Sequence, residues 1–245
     1  MLFCMDPYRA LGRPDGIDVD ALPEGCAPVL NVLRLLRSAA EEEEPVDRVV
    51  DKQIYSDVVD TLRLYFEQLF NGQQQDASEL LAAVLDTLSI PELHLPEQHM
   101  QYTEAVKQHC NRCQYQQAVE ETGRICSLPL PVELVARYGK SAVPLSDLFE
   151  HYQFPELVEC NNRACREDGA TKALTRRFRR HGRYWCLQLK RFRYDAKGSK
   201  VHARVDAPLV FSNGADAFYL RAAVLHAGAT LSSGHYTILG GLCPR

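Results

Sequence analysis

The spacing of apolar residues changes at about residue 100. Before that point, apolar residues recur at intervals of three and four positions, which is the spacing of an amphipathic helix. This spacing predicts helices over 29–36 and 54–70. A third helix is predicted from Asp76 to residue 88, because Asp76, Ser78 and Glu79 form a capping-box pattern just ahead of an apolar run.

Beyond residue 100, short apolar runs separated by proline and glycine predict strands, with one helical patch at 145–152. Helices that come first and strands that come later are typical of an α+β protein with segregated layers. The predicted strands cover 125–130, 184–189, 192–194, 218–225 and 235–239.

Composition and charge narrow the functional class. The 245 residues include 28 basic and 32 acidic side chains, and this balance excludes a chain that is a nucleic-acid-binding arm as a whole. No apolar run approaches the length of a bilayer span, and the first residues lack the basic segment of a signal peptide. We therefore expect no membrane partner and a location in the cytoplasm, the nucleus or both.

The nine cysteines indicate metal binding more than disulfides, because an odd number without a signal peptide is typical of a reducing compartment. Four of them form two pairs, Cys110 with Cys113 and Cys160 with Cys165. Two cysteines on a tight turn supply half of a tetrahedral zinc site, so the two pairs predict one structural Cys4 site. Such a closed site carries no reaction. The alternative is four unrelated thiols.

Four motifs follow one another along the chain, and together they cover residues from about 70 to 240. They are Gln74-Gln75-Asp76-Ala77-Ser78-Glu79-Leu80, the two cysteine pairs, Leu187-Gln188-Leu189-Lys190-Arg191-Phe192, and His226-Ala227-Gly228 followed by Ser233-Gly234-His235-Tyr236. Each motif alone is weak, but in this order they resemble the ubiquitin-specific protease family of cysteine deubiquitinases.

The resemblance implies a papain-like cysteine protease hand with a helical thumb, an antiparallel β palm and zinc-knuckled β fingers. On this interpretation residues 1–245 form one domain that is incomplete at both ends. The thumb helices then occupy 1–100, mainly fingers 101–183, and the palm 184–245.

The resemblance also assigns roles to individual residues. His235 matches the general base, and a histidine has a pKa suited to taking a proton from a thiol near neutral pH. The alternative is a half-buried strand histidine, and Asp76 and Glu79 could simply cap a helix. The two cysteine pairs match the zinc ligands of the fingers. The positions that match those holding the ubiquitin tail are Gln75, Asp76, Glu79, Gly234 and Tyr236.

The nucleophile is the part of the family pattern that the sequence does not supply. The family carries its cysteine in a box resembling Asn-x-Gly-Asn-Thr-Cys-Tyr-x-Asn at a helix N-terminus, where the helix dipole stabilises a thiolate. No such box occurs here. Cys4 is the first candidate by its spacing from Gln75, and Cys26 is the second. No Asp or Asn follows His235 to orient its imidazole.

Three functions remain open. The first is a thiol-dependent deubiquitinase that binds ubiquitin or a ubiquitin-like protein and cuts the (iso)peptide bond after its tail in ubiquitinated substrates. The second is a non-catalytic ubiquitin-binding or assembly module, either a pseudoprotease or a truncated form. The third is a zinc-ribbon nucleic-acid binder, suggested by fourteen Lys or Arg against three acids within 163–204. Aromatic residues are sparse there, so nucleic acid is not an expected partner.

Overall fold

The computed structural model describes residues 23, 25–26, 29–31, 52–89, 99–167, 169–192, 200–214, 216–230 and 233–240. The described residues divide into two units. One draws on Met1–His99, Phe192–Lys200 and Tyr219–Arg245, and the other on Met100–Arg191 and Val201–Phe218.

The described residues of the first unit include two α-helices of more than ten residues, a short 3-10 helix and one β-hairpin. Helix α1 covers Lys52–Tyr65 and a 3-10 helix covers Glu67–Leu69, while helix α2 covers Ala77–Thr87. The Asp76 side chain accepts a hydrogen bond from the Ser78 backbone N–H at 2.8 Å, so the predicted cap of α2 is confirmed. Of the predicted helix at 29–36, residues 29–31 are helical and the rest lies outside the described residues.

The predicted helix over 54–70 is wrong at its C-terminal end. Phe66 leaves the helical region, with φ of −126° and ψ of 46°, and its side chain is buried. The chain therefore continues as a short 3-10 helix. The reason is that the spacing of apolar residues indicates only which side chains face the interior. Phe66 can be buried by a helix that breaks after Tyr65 just as it can by a helix that continues.

The hairpin of the first unit pairs strand β11, Ala222–Thr230, with strand β12, Ser233–Gly240, in antiparallel register. In this register His226 lies opposite Tyr236, and Ala227 lies opposite His235.

The predicted strand at 218–225 is wrong as a single element, because residues 220–221 separate two strands. Phe192 forms an isolated bridge with Lys200, and the other predicted residues of 192–194 lie outside the described residues.

The second unit contains a four-stranded antiparallel sheet in the order β2-β1-β6-β5. The sequence analysis did not predict these strands, since they are rich in charged and amide side chains and lack a regular apolar alternation. They are β1, Tyr102–His109; β2, Gln116–Gly123; β5, Glu156–Glu159; and β6, Thr171–Arg180.

The core of the second unit is aromatic. The Phe149 ring lies 4.8 Å from the rings of Trp185 and Phe211 and 5.7 Å from that of Phe178, measured between centroids.

Two short strand pairs of the second unit, β3 with β7 and β4 with β8, are parallel, and these pairs were not predicted from the sequence. The helices are α3, Val132–Tyr138; α4, Leu145–Gln153; and α5, Arg163–Glu167. The strands are β3, Ile125–Pro129; β4, Val143–Pro144; β7, Cys186–Lys190; β8, Val205–Asp206; β9, Val210–Asn213; and β10, Asp216–Tyr219. None of the described helices in either unit has the length and apolar character needed to cross a bilayer.

Candidate functional site

His235 lies on β12, and its side chain is exposed. Because side chains alternate along a strand, His235 shares one face of the hairpin with Ala227, and the facing pair His226 and Tyr236 occupies the other. Among the residues that the structure describes, none forms a hydrogen bond with the His235 ring. The candidate base is thus accessible, and no described side chain orients it.

Gly234, which precedes the candidate base, is required by the packing of the hairpin. Its φ is +154°, and a Cβ at this position would overlap the His226 ring and the carbonyl oxygen of Ala227. The glycine lets the two strands and the His226 ring lie close together. Its predicted contact with a ubiquitin tail stays a prediction.

The segment before α2 is attached to the hairpin on the face opposite His235. The Tyr236 hydroxyl donates to the carbonyl oxygen of Gln75 at 3.1 Å, and the side-chain amide of Gln74 lies 2.5 Å from Nε2 of His226. Burial raises the pKa of Tyr236, which keeps its hydroxyl protonated as a donor. Two of the predicted tail-binding residues, Gln75 and Tyr236, are therefore in direct contact.

Asp76 and Glu79 lie in the first turn of α2. The Asp76 carboxylate accepts from both the backbone N–H and the hydroxyl of Ser78, at 2.8 and 2.9 Å, so its helix-capping role is established. Glu79 is exposed. Whether either side chain also holds a ubiquitin tail stays a prediction.

The second nucleophile candidate, Cys26, is poorly suited to attack. Its side chain is 2% exposed, and its thiol donates to the carbonyl oxygen of Thr87 at 3.1 Å. A reactive thiol must be accessible and near a group that removes its proton, and this thiol is covered and donates to a backbone carbonyl. The structure therefore argues against Cys26. Cys4, the first candidate, lies outside the described residues.

Two further cysteines, Cys126 and Cys186, are core residues of the second unit. Both are buried, and burial raises the pKa of each thiol to about 12. A thiol with such a pKa is almost entirely protonated at neutral pH and is a poor nucleophile. Neither residue is a candidate for catalysis.

The four paired cysteines lie together in the second unit. Their Sγ atoms all lie within 4.8 Å of one another, with 3.7 Å between Cys110 and Cys165 and 3.5 Å between Cys113 and Cys160. A tetrahedron with metal–sulfur bonds of about 2.3 Å has sulfur–sulfur edges of about 3.8 Å. The cluster therefore has the dimensions of a four-thiolate metal site, and these four residues could hold a metal ion.

The register of the sheet explains why the cluster forms. His109 at the end of β1 pairs with Gln116 at the start of β2 and with Ala173 near the start of β6. Since β5 ends where β6 begins, with Glu159 opposite Thr171, the β1–β2 and β5–β6 turns emerge at the same edge of the sheet. Each turn carries one cysteine pair to that edge.

Backbone groups of the β1–β2 turn favour the thiolate of Cys110, whereas burial raises the pKa of the Cys160 and Cys165 thiols. The backbone N–H groups of Cys113 and then Arg112 donate to the Cys110 sulfur and lower the pKa of that thiol. Beside the cluster, the buried ammonium of Lys172 donates to the Asn161 side-chain oxygen at 2.5 Å and lies 5.5 Å from the centre of the Tyr115 ring.

The sequence model of the family described as "Ubiquitin carboxyl-terminal hydrolase" matches residues 29–240, which include all four motifs. The chain belongs to the ubiquitin carboxyl-terminal hydrolase family. Both nucleophile candidates, Cys4 and Cys26, precede the part of the chain that the family model matches.

A solved structure shows the same fold. A chain of the SAGA DUB module of Ubp8, Sgf11, Sus1 and Sgf73 bound to monoubiquitin matches with a TM-score of 0.70 and 14% sequence identity. The match covers 98% of the present chain and 57% of that chain, so the present chain spans little more than half of its length. The expected ubiquitin-specific protease fold is confirmed. No curated protein sequence matches the chain.

Sequence reasoning missed the parts of the site that depend on contacts between distant segments. His226 belongs to one of the four motifs but was given no role, and its position opposite Tyr236 follows only from the hairpin register. The contacts of Lys172 and Lys200 leave no signal in the local sequence. For His226, the available signal was the pair of HxG and GHY motifs, which face each other across the two strands of one hairpin.

Proposed function

We propose that the domain binds ubiquitin and leads its C-terminal tail over the start of α2 and along the β11–β12 hairpin to His235. The observation that supports this is the attachment of Gln74 and Gln75 to the hairpin that carries His235. It joins two of the family motifs in one unit. The ubiquitin bound to the structurally similar module agrees with this partner.

We propose that His235 serves as general base in hydrolysis of the (iso)peptide bond after the tail. It takes the proton of a cysteine thiol, and the thiolate attacks the carbonyl carbon to give a tetrahedral oxyanion. The oxyanion collapses to a thioester as the amine leaves with the proton from His235. Water, deprotonated by the same imidazole, then hydrolyses the thioester. Cys4 is the first candidate for the thiol.

A second function, binding of ubiquitin without hydrolysis, is favoured by one observation. Within the described ranges every cysteine either is buried in apolar surroundings, donates to a backbone carbonyl, or belongs to the four-cysteine cluster. A domain in which no thiol reaches His235 would hold ubiquitin without cutting the bond.

Zinc is the metal that we propose for the four-cysteine cluster. Four thiolates in a tetrahedron are the donor set of structural zinc sites, and the measured sulfur–sulfur distances fit it. Zinc bound by Cys110, Cys113, Cys160 and Cys165 would cross-link the β1–β2 and β5–β6 turns. Because the site is closed, it supplies stability and no chemistry to the reaction.

The two functions can be separated with ubiquitin that carries a thiol-reactive group at its C-terminus. It is mixed with zinc-replete wild-type protein and with the Cys4→Ala, Cys26→Ala and His235→Ala variants. A covalent adduct that Cys4→Ala and His235→Ala abolish, and that Cys26→Ala retains, supports hydrolysis through Cys4 with His235 as the base. Saturable binding of unmodified ubiquitin without an adduct supports the holding function. Absence of both adduct and binding would overturn both proposals.

A further inference from the structure

Lys200 is anchored to strand β11 by several hydrogen bonds. Its ammonium lies 2.9 Å from the carbonyl oxygen of His226, 2.8 Å from that of Gly228 and 3.0 Å from Nδ1 of the His226 ring. An ammonium has three protons to donate and no acceptor. The half-buried Lys200 side chain can therefore bond the backbone and the ring of His226 at the same time.

This arrangement fixes the protonation state of His226. Since Lys200 only donates, Nδ1 is the unprotonated ring nitrogen, and the proton of the neutral ring lies on Nε2. Burial and the charge of Lys200 lower the pKa of His226, although the Asp76 carboxylate acts in the opposite direction. The Gln74 atom that lies 2.5 Å from Nε2 is the amide nitrogen, and exchanging the nitrogen and oxygen of this amide gives the Nε2–H group a carbonyl oxygen to donate to. This assignment follows from the network of donors and acceptors.

Aromatic side chains hold the His226 ring in place. The ring centroid lies 4.9 Å from that of Tyr236 and 6.2 Å from that of Phe192, and Lys200 lies 5.9 Å from the centre of the Phe192 ring. Tyr236 itself donates to the carbonyl oxygen of Gln75. One face of the hairpin therefore bonds both residues that precede the helix cap Asp76.

We propose that Lys200 and His226 are positioning residues that hold Gln74 and Gln75, and with them the first turn of α2, in the conformation that receives the ubiquitin tail. Lys200 sets the tautomer of His226, and His226 binds the Gln74 side chain. The inference rests on the proposed function for its ligand, whereas the clamp formed by Lys200, His226 and Gln74 exists without ubiquitin. The two can therefore be tested separately.

The first test measures the clamp without ubiquitin, by hydrogen exchange of the backbone amides at 75–79. We expect Gln74→Leu and His226→Phe to lose protection there, because both remove the hydrogen bond. Gln74→Glu should retain it, since a carboxylate also accepts from Nε2–H. Lys140→Met, which removes an exposed lysine of the second unit, is the control. Unchanged exchange in Gln74→Leu and His226→Phe, or loss of protection in Gln74→Glu equal to that in Gln74→Leu, would overturn the proposal.

The second test compares the dissociation constants of intact ubiquitin and of ubiquitin that lacks its C-terminal tail. A positioning role predicts that His226→Phe and Lys200→Met weaken binding of intact ubiquitin by about tenfold, or about 1.4 kcal/mol, and leave binding of the tailless form unchanged. Equal weakening of both forms, or no weakening, would overturn the role in tail binding. If wild-type protein binds neither form, the proposed function fails, and hydrogen exchange alone decides on the clamp.

Discussion

The four-cysteine cluster and the His235 hairpin differ in how completely the chain assembles them. In the cluster, three of the four side chains are buried and all four sulfurs lie within 4.8 Å of one another. His235, in contrast, is exposed and has no hydrogen-bonding partner among the described residues. The four cysteines therefore form a complete set of ligands within the chain, whereas the hairpin needs a ligand or a further residue to complete its site.

The largest effect is expected from removing a metal ligand. Cys160→Ser should abolish stoichiometric zinc and lower the free energy of unfolding by several kcal/mol, because binding of structural zinc contributes directly to folding. Metal analysis and thermal unfolding check this result. Cys113→His is the control, since zinc accepts imidazole and Cys113 is only half-buried. Full stability of Cys160→Ser without zinc would contradict the structural role of the cluster.

A smaller effect is expected from a side chain at Gly234. Gly234→Ala should destabilise the first unit by about 1–3 kcal/mol, since the added Cβ meets the His226 ring and the Ala227 carbonyl oxygen. Denaturant unfolding measures the change. Gly214→Ala is the matched control, because Gly214 has a φ of +65° but nothing within 4 Å of an added Cβ. A larger loss in the control than in Gly234→Ala would show that backbone conformation, not cross-strand packing, dominates.

Substitution of Glu104, which is buried in β1 away from the cluster, is expected to change the free energy of unfolding only within one pH range. Burial raises the pKa of Glu104 above its ordinary value of 4.5, although the hydrogen bond from Tyr152 partly opposes this. The stability contributed by the protonated carboxyl is present below the ordinary pKa and is lost as the pH rises through the raised pKa.

Glu104→Gln should therefore gain stability relative to wild type as the pH rises above 4.5, and unfolding at a series of pH values checks this. Glu133→Gln, at an exposed residue of α3, is the control. A constant difference between Glu104→Gln and wild type across the pH range would show that the two states of Glu104 are equally tolerated.

The smallest effect on stability is expected at His235. His235→Ala should change the free energy of unfolding by no more than about 0.5 kcal/mol, as is usual for exposed residues, but should abolish thioester chemistry. Tyr236→Phe, on the opposite face of the same strand, should cost about 1 kcal/mol through the lost bond to Gln75. A larger loss for His235→Ala would mean that His235 has a structural role.

The sequence predicted what depends on local patterns. The Asp76 cap, the α4 helix and the cysteine pairs each follow from residues within a few positions of one another. The polar strands β1, β2 and β6 were missed, because their stability comes from pairing across the sheet and not from an apolar alternation. The Lys200–His226–Gln74 clamp was missed for a related reason, since its residues are far apart in sequence.

The most direct test of the tail path is an NMR titration of zinc-replete protein with intact and with tailless ubiquitin. We expect the backbone amides at 75–79 and 234–236 to shift with intact ubiquitin and to stay unchanged with the tailless form. The proposed tail path would be contradicted if both forms shift these amides equally, or if intact ubiquitin binds without shifting them.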